Sequence, residues 1–225
     1  MNKAVKDKRS FCVLCGSAGV AGVVLLIVSF AINAGPPPGA MYAELVRFGQ
    51  QHYANVLWGA WLQATGPVLI VLFAFSLVHL ARAEQSFAGW MTFFGATILM
   101  TVSLIEITFY ISALHPDPAV MPAVSLNIIS AVQHLYFIVA APALFSPLGV
   151  ILLSSPVLPQ SYGVSALILA TAFTTLGIIF FAHSDVACMG HRIRGSSSAL
   201  VAGAAITLIA RSGKLSDTSA VLLGR

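Results

Sequence analysis

Residues 87–114 read FAGWMTFFGATILMTVSLIEITFYISAL, 28 residues in which Glu106 is the sole charge. At 1.5 Å rise per residue this stretch is about 42 Å long as a helix, more than the ~30 Å of a bilayer's hydrocarbon core. A carboxylate inside such a segment is costly unless it is protonated, paired or facing water. The stretch decides the fold class: an all-α, polytopic helical membrane bundle of five to six transmembrane helices. It also makes the surroundings of Glu106 the central functional question.

The rest of the chain agrees. Of its 225 residues 58% are hydrophobic and 8% charged, where a soluble domain carries roughly 25% charged residues. The mean hydropathy is +0.93. The net charge of +4 comes mostly from basic residues near the two ends and in short connections. That distribution orients a membrane protein and forms no basic face, so a nucleic-acid partner is excluded. Three cysteines, two of them beside the N-terminal basic segment, make no disulfide framework.

Residues 1–10, with Lys3, Lys6, Lys8 and Arg9, form an N-terminal tail expected in the cytoplasm. Residues 11–182 form a five-helix transmembrane core. Its first apolar run, Phe11 to Ala34, is longer than a signal-peptide core and lacks a clean A-x-A site, so it reads as an uncleaved span. Gly16, Gly19 and Gly22 give that span a smooth strip suited to packing against another helix. Gly35-Pro36-Pro37-Pro38-Gly39 ends it, and residues 40–53 are expected as a short helix on the outer membrane surface.

The second span, Asn55 to Leu80, carries Trp58 and Trp61 near its outer end. The third follows a short turn with Arg82 and Glu84. The fourth, Ala123 to Leu153, is too long for one straight crossing, and Pro142 and Pro147 are expected to kink or tilt it. The fifth runs from Tyr162 to Ala182. Residues 183–225 form a polar loop, a short apolar sixth span at 199–210 and a C-terminal tail. The positive-inside tendency favours six crossings, with both chain ends cytoplasmic. The tail beyond His183 is expected to be the least tightly held part.

Depth selects the polar groups that can meet. Glu106 lies eight residues before Leu114, about 12 Å below the outer end of its helix. The same distance along the neighbouring antiparallel spans reaches Gln63, and Ser130 to His134. Asn127, Ser130 and His134 share one face of the fourth helix, with Gln133 about a hundred degrees away. The expected intramembrane cluster is Glu106, His134, Gln63, Ser130 and Asn127. A Glu and a His at one depth either share a proton, as in a relay, or lock two helices together. The second role is favoured, because no further acid extends a path.

Two weaker constellations are Cys12-x-x-Cys15 and the ligand types His183, Asp185, Cys188 and His191. Neither matches a standard metal spacing, and Arg192 and Arg194 repel a cation, so no metal and no cofactor is expected. Hydrolase, zinc-protease, phosphate-loop and haem-attachment motifs are absent, and no catalytic residues are assigned.

Pro147-Leu148-Gly149, followed without gaps by Ser155, Leu158 and Pro159, resembles the P-L-G-x4-R-S-G-x-L-P-R signature of a family of uncharacterised bacterial six-helix membrane proteins. Leu104-Ile105-Glu106 is similar to that family's third-helix R-[LIV]-x-E pattern. Ser103, Ser154 and Gln160 stand where the family has Arg, and Pro156 replaces Gly. The resemblance implies the fold and a bacterial inner membrane, and supplies no activity. The function expected from the sequence is a non-enzymatic accessory or assembly subunit acting through helix–helix association. Its partners would be the lipid bilayer and a membrane protein or a second copy of itself. The alternative is a small-solute permease or proton-coupled carrier using Glu106 and His134.

Overall fold

The computed structural model describes residues 3–33, 41–114, 122–182 and 200–212. Among them the elements are α1 (Lys3–Ile32), α2 (Tyr42–Gln51), α3 (Tyr53–Leu80), α4 (Phe87–Ala113), α5 (Pro122–Leu135), a π-turn (Tyr136–Ala140), α6 (Ala141–Ser154) and α7 (Gln160–Ala182). A shorter apolar helix, α8, covers Leu200–Ser212. No strand occurs among the described residues. Five helical segments are long and apolar enough to cross a membrane: Arg9–Ile32, Tyr53–Leu80, Phe87–Ala113, Asn127–Ser154 and Gln160–Ile179. The chain is a multi-pass membrane protein with an all-α bundle fold.

Helix packing follows small residues, as it must where lipid is as apolar as the side chains. Gly22 of α1 and Gly66 of α3 cross backbone to backbone, a Cβ on either falling within about 3.0 Å of the other's carbonyl oxygen. Gly149 of α6 and Gly163 of α7 repeat this arrangement. Ser29 on α1 is fully buried and donates to the Gly59 carbonyl of α3 at 2.8 Å. The glycine strip read on the first span is therefore used inside the chain: Gly22 by α3, Gly16 and Gly19 by Phe73 of α3 and by Ala205 and Ile209 of α8.

α3 and α4 form a tight hairpin. Ala83 N–H bonds the Val78 carbonyl and Arg82 N–H that of His79, a Schellman ending with Arg82 at φ 55°, where glycine is usual. Ser86 then caps α4, its Oγ accepting from Gly89 N–H at 3.0 Å and donating to the Ala83 carbonyl at 2.7 Å.

The long fourth span, Asn127–Ser154, runs on through α5, the π-turn and α6. Pro142 has no N–H to donate, and just before it the ladder widens, with Ala141 N–H reaching the Tyr136 carbonyl five residues back. Pro147 likewise leaves the Ala143 carbonyl without its helical donor, and Gly95 of α4 lies against that oxygen so closely that a Cβ would overlap it. The rings of Tyr136, Phe137 and Phe145 gather on Phe173 of α7, which is fully buried.

α2 confirms the expected short helix. Leu45, Val46 and Phe48 are half-buried, Glu44 and Arg47 are exposed, and Glu44 Oε2 accepts from Met41 N–H at 3.0 Å. His52 alone separates it from α3.

The tail departs from expectation in one respect. Its apolar helix is held, not loose: Ala205 and Leu208 are fully buried, and Thr207 shares a 2.6 Å hydrogen bond with the Tyr162 hydroxyl of α7. Small residues let α8 sit in the groove between α1 and α3 on one side and α6 and α7 on the other. It runs antiparallel to α1, so Ser212 lies at the face where α1 begins. Its length is about 20 Å, which covers part of the bilayer thickness only. Residues 183–199 and 213–225 lie outside the described residues.

Candidate functional site

At the end of α8 distant from Ser212, a cavity of about 70 Å³ opens at the bundle centre. It borders α1, α3, α4, the π-turn, α6 and Val201 at the start of α8. Most of its wall is apolar, and besides Tyr136 the polar side chains that border it are Gln63, Ser103 and Glu106. They are buried, with 6%, 7% and 7% of their surfaces exposed.

Ser103 and Glu106 are placed together by the i, i+3 spacing on α4. Glu106 Oε1 accepts a 2.8 Å hydrogen bond from Gln133 Nε2 of α5. Its Oε2 has no hydrogen-bond partner among the described residues. Elsewhere on α4 the hydroxyls of Thr97, Thr101 and Thr108 bond the carbonyl four residues back. Ser103 makes no such bond. Gln63 also has no side-chain partner among the described residues, although it is 94% buried. Pro67, one turn along α3, has no N–H for the Gln63 carbonyl, so the main chain adds an oxygen without its helical donor. Among the described residues the enclosed side-chain atom without a hydrogen-bond partner is Ser155 Oγ, so the unbonded polar atoms of Gln63, Ser103 and Glu106 reach open space.

The structure brings together Gln63 and Glu106, as depth along the helices predicts. It corrects the pairing. Glu106 bonds Gln133 and not His134, because α5 presents the neighbouring residue, about 100° around the helix, to α4. Asn127 is exposed and takes no part in the cavity. The Ser130 side chain lies outside the described residues. Ser103 was not among the expected site residues: its i, i+3 spacing puts it on the face of Glu106, but a serine inside an apolar helix usually bonds its own backbone. Cys12 and Cys15 are buried and unbridged. Among the described residues no group of three His, Cys, Asp or Glu is placed to hold a metal ion. His183, Asp185, Cys188 and His191 lie outside them.

Chemically, the cavity is bordered by an acid with one oxygen held by Gln133, an amide, a serine hydroxyl and a tyrosine. No Lys, Arg or His lines the cavity among the described residues. The chain matches no protein-family model, no curated protein and no solved structure.

Proposed function

We propose that this protein is a small membrane carrier whose solute site is the central cavity, with Glu106, Ser103 and Gln63 as its polar contacts. The observation that carries the reading is the meeting of Gln63, Ser103 and Glu106, the last held by Gln133 through one oxygen only, around a space large enough for several waters or one small solute. Two interruptions of helical regularity border the same space, Pro67 of α3 and the π-turn at Tyr136. Broken helices at mid-bundle are a common way for transporters to expose main-chain groups to a solute. Catalysis is not part of this reading. The host membrane is the bacterial cytoplasmic membrane, with Lys3, Lys6, Lys8, Arg9 and Arg82 on the cytoplasmic side.

The accessory-subunit reading loses its main support, because the small-residue strip of α1 is covered by the chain's own α3 and α8. It keeps one observation, an open apolar groove along α7 lined by Val164, Ile168, Thr171 and Thr175. Loss of a co-purifying membrane partner, or of a homo-oligomer, on Ile168→Trp would favour it.

The carrier reading is tested by stopped-flow osmotic swelling of proteoliposomes with small polar solutes. At least one solute should enter faster than into protein-free vesicles, and Gln63→Leu should slow it at least tenfold. Equal rates with and without protein for every solute would end the reading.

A further inference from the structure

The geometry points to a small monovalent cation as the ligand of the central cavity, held by Glu106 Oε2, the Ser103 hydroxyl and the side-chain and main-chain oxygens of Gln63. This rests on the carrier reading above and deepens it. Charge bookkeeping within the cavity is the first reason. Glu106 is the sole ionisable carboxylate lining it, and no basic side chain among the described residues lines it to compensate. A carboxyl group at that depth either carries a proton or needs one positive charge from outside the chain, and a bound cation supplies that charge.

The donor set is the second reason. Gln133 already gives its N–H to Oε1, which fixes the carboxylate and turns the remaining oxygen to other use. The Ser103 and Gln63 side chains each present an oxygen, and Pro67 leaves the Gln63 carbonyl without its helical donor. Four oxygens of this hard, mostly neutral kind suit an alkali-metal ion or an ammonium group. They do not suit a transition metal, which prefers imidazole or thiolate. Charge also argues against a dication: with one carboxylate, calcium or magnesium would leave an uncompensated positive charge in an apolar surrounding, and calcium calls for six to eight oxygens. An anion would meet Glu106 with no basic group to hold it. Size is the third reason, since a cavity of about 70 Å³, with room for several waters, admits such an ion with part of its hydration shell.

The test is a thermal-shift titration of the purified full chain in detergent, at constant ionic strength in N-methylglucamine chloride. Sodium, potassium and ammonium chloride are the cationic probes, and urea and glycerol the neutral ones. At least one cation should raise Tm saturably. Ser103→Ala and Gln63→Leu should each raise its half-saturating concentration about tenfold, and Asn127→Ala should leave it unchanged. Glu106→Gln, checked for a native elution profile, should abolish the response. A saturable shift by urea or glycerol with none by any cation would overturn the cation assignment while leaving the cavity a solute site. A cation response that survives Glu106→Gln would overturn it too. No shift with any probe, together with no solute entry in the swelling assay, would remove both the cation and the carrier reading.

Discussion

Glu106 and Gln133 are joined by one hydrogen bond between α4 and α5, and its strength can be isolated by a double-mutant cycle on Glu106→Leu and Gln133→Leu. Two magnitudes compete. Hydrogen bonds between membrane helices average about 0.6 kcal/mol in such cycles, with a maximum near 1.7 kcal/mol. Hydrogen bonds to a charged group contribute about 1.5–3 kcal/mol in proteins generally. The 2.8 Å distance and the near-complete burial of Glu106 put this bond toward the strong end. A half-buried Gln133 recovers part of the loss by finding other partners. The coupling energy should therefore be about 1–2 kcal/mol, measured by reversible unfolding in mixed micelles. Glu106→Gln retains an oxygen that accepts from Gln133 and should cost less than Glu106→Leu. The matching cycle with His134→Ala should give coupling below about 0.5 kcal/mol, the usual scatter between independent sites. Additivity of the Glu106 and Gln133 variants would refute the bond, and strong coupling to His134 instead would restore the pairing expected from sequence.

Arg82→Gly should stabilise the α3–α4 hairpin by about 0.5–1 kcal/mol, since glycine adopts the left-handed conformation at φ 55° without a Cβ penalty; chemical unfolding reads the change. Ser86→Ala removes the cap of α4 and should cost about 1 kcal/mol in the same assay. Gly95→Ala drives a methyl group into the Ala143 carbonyl and should cost about 1–3 kcal/mol or abolish expression of folded protein. Glu84, held below the usual carboxylate range by a backbone hydrogen bond and then by the His79 ring 2.6 Å away, carries the pH dependence of this turn. Because its folded value is depressed, its contribution is present above the unfolded value near 4.3 and is lost as the pH falls below it; Glu84→Gln should flatten the acid limb of a Tm–pH profile. Gln85→Cys should react with a membrane-impermeant maleimide only from the cytoplasmic side, and labelling of intact cells from outside would invert the proposed orientation.

Length and polarity made most of this fold legible, because a helix converts residue count into depth at a fixed rise. That is why Gln63 and Glu106 were expected at one level and line one cavity. Direction around a helix is harder. A single residue turns the side chain by about 100°, and the orientation of α5 follows packing near a π-turn that hydropathy does not register. Hence Gln133, one position from the expected His134, holds the carboxylate. Ser103 escaped notice for another reason. A serine inside an apolar helix usually satisfies itself on its own backbone, and the sequence does not distinguish the one that fails to. The docking of α8 was also hidden, since a dozen apolar residues read as a short sixth span whose neighbours hydropathy does not name. Their small side chains, Ala204 and Ala205 above all, fit them to a groove made by distant parts of the chain.

That short helix carries a consequence for how the molecule is made. A segment of about 20 Å gains too little from hydrocarbon to be retained there by its own hydrophobicity. It is synthesised after every helix it touches, so its binding groove already exists, walled by α1, α3, α6 and α7, when it leaves the ribosome. α8 seats there against Gly16 and Gly19 and is fastened by Thr207 to Tyr162. Assembly is thus a capture event with its own rate, and the central cavity gains its Val201 wall only when that event is finished.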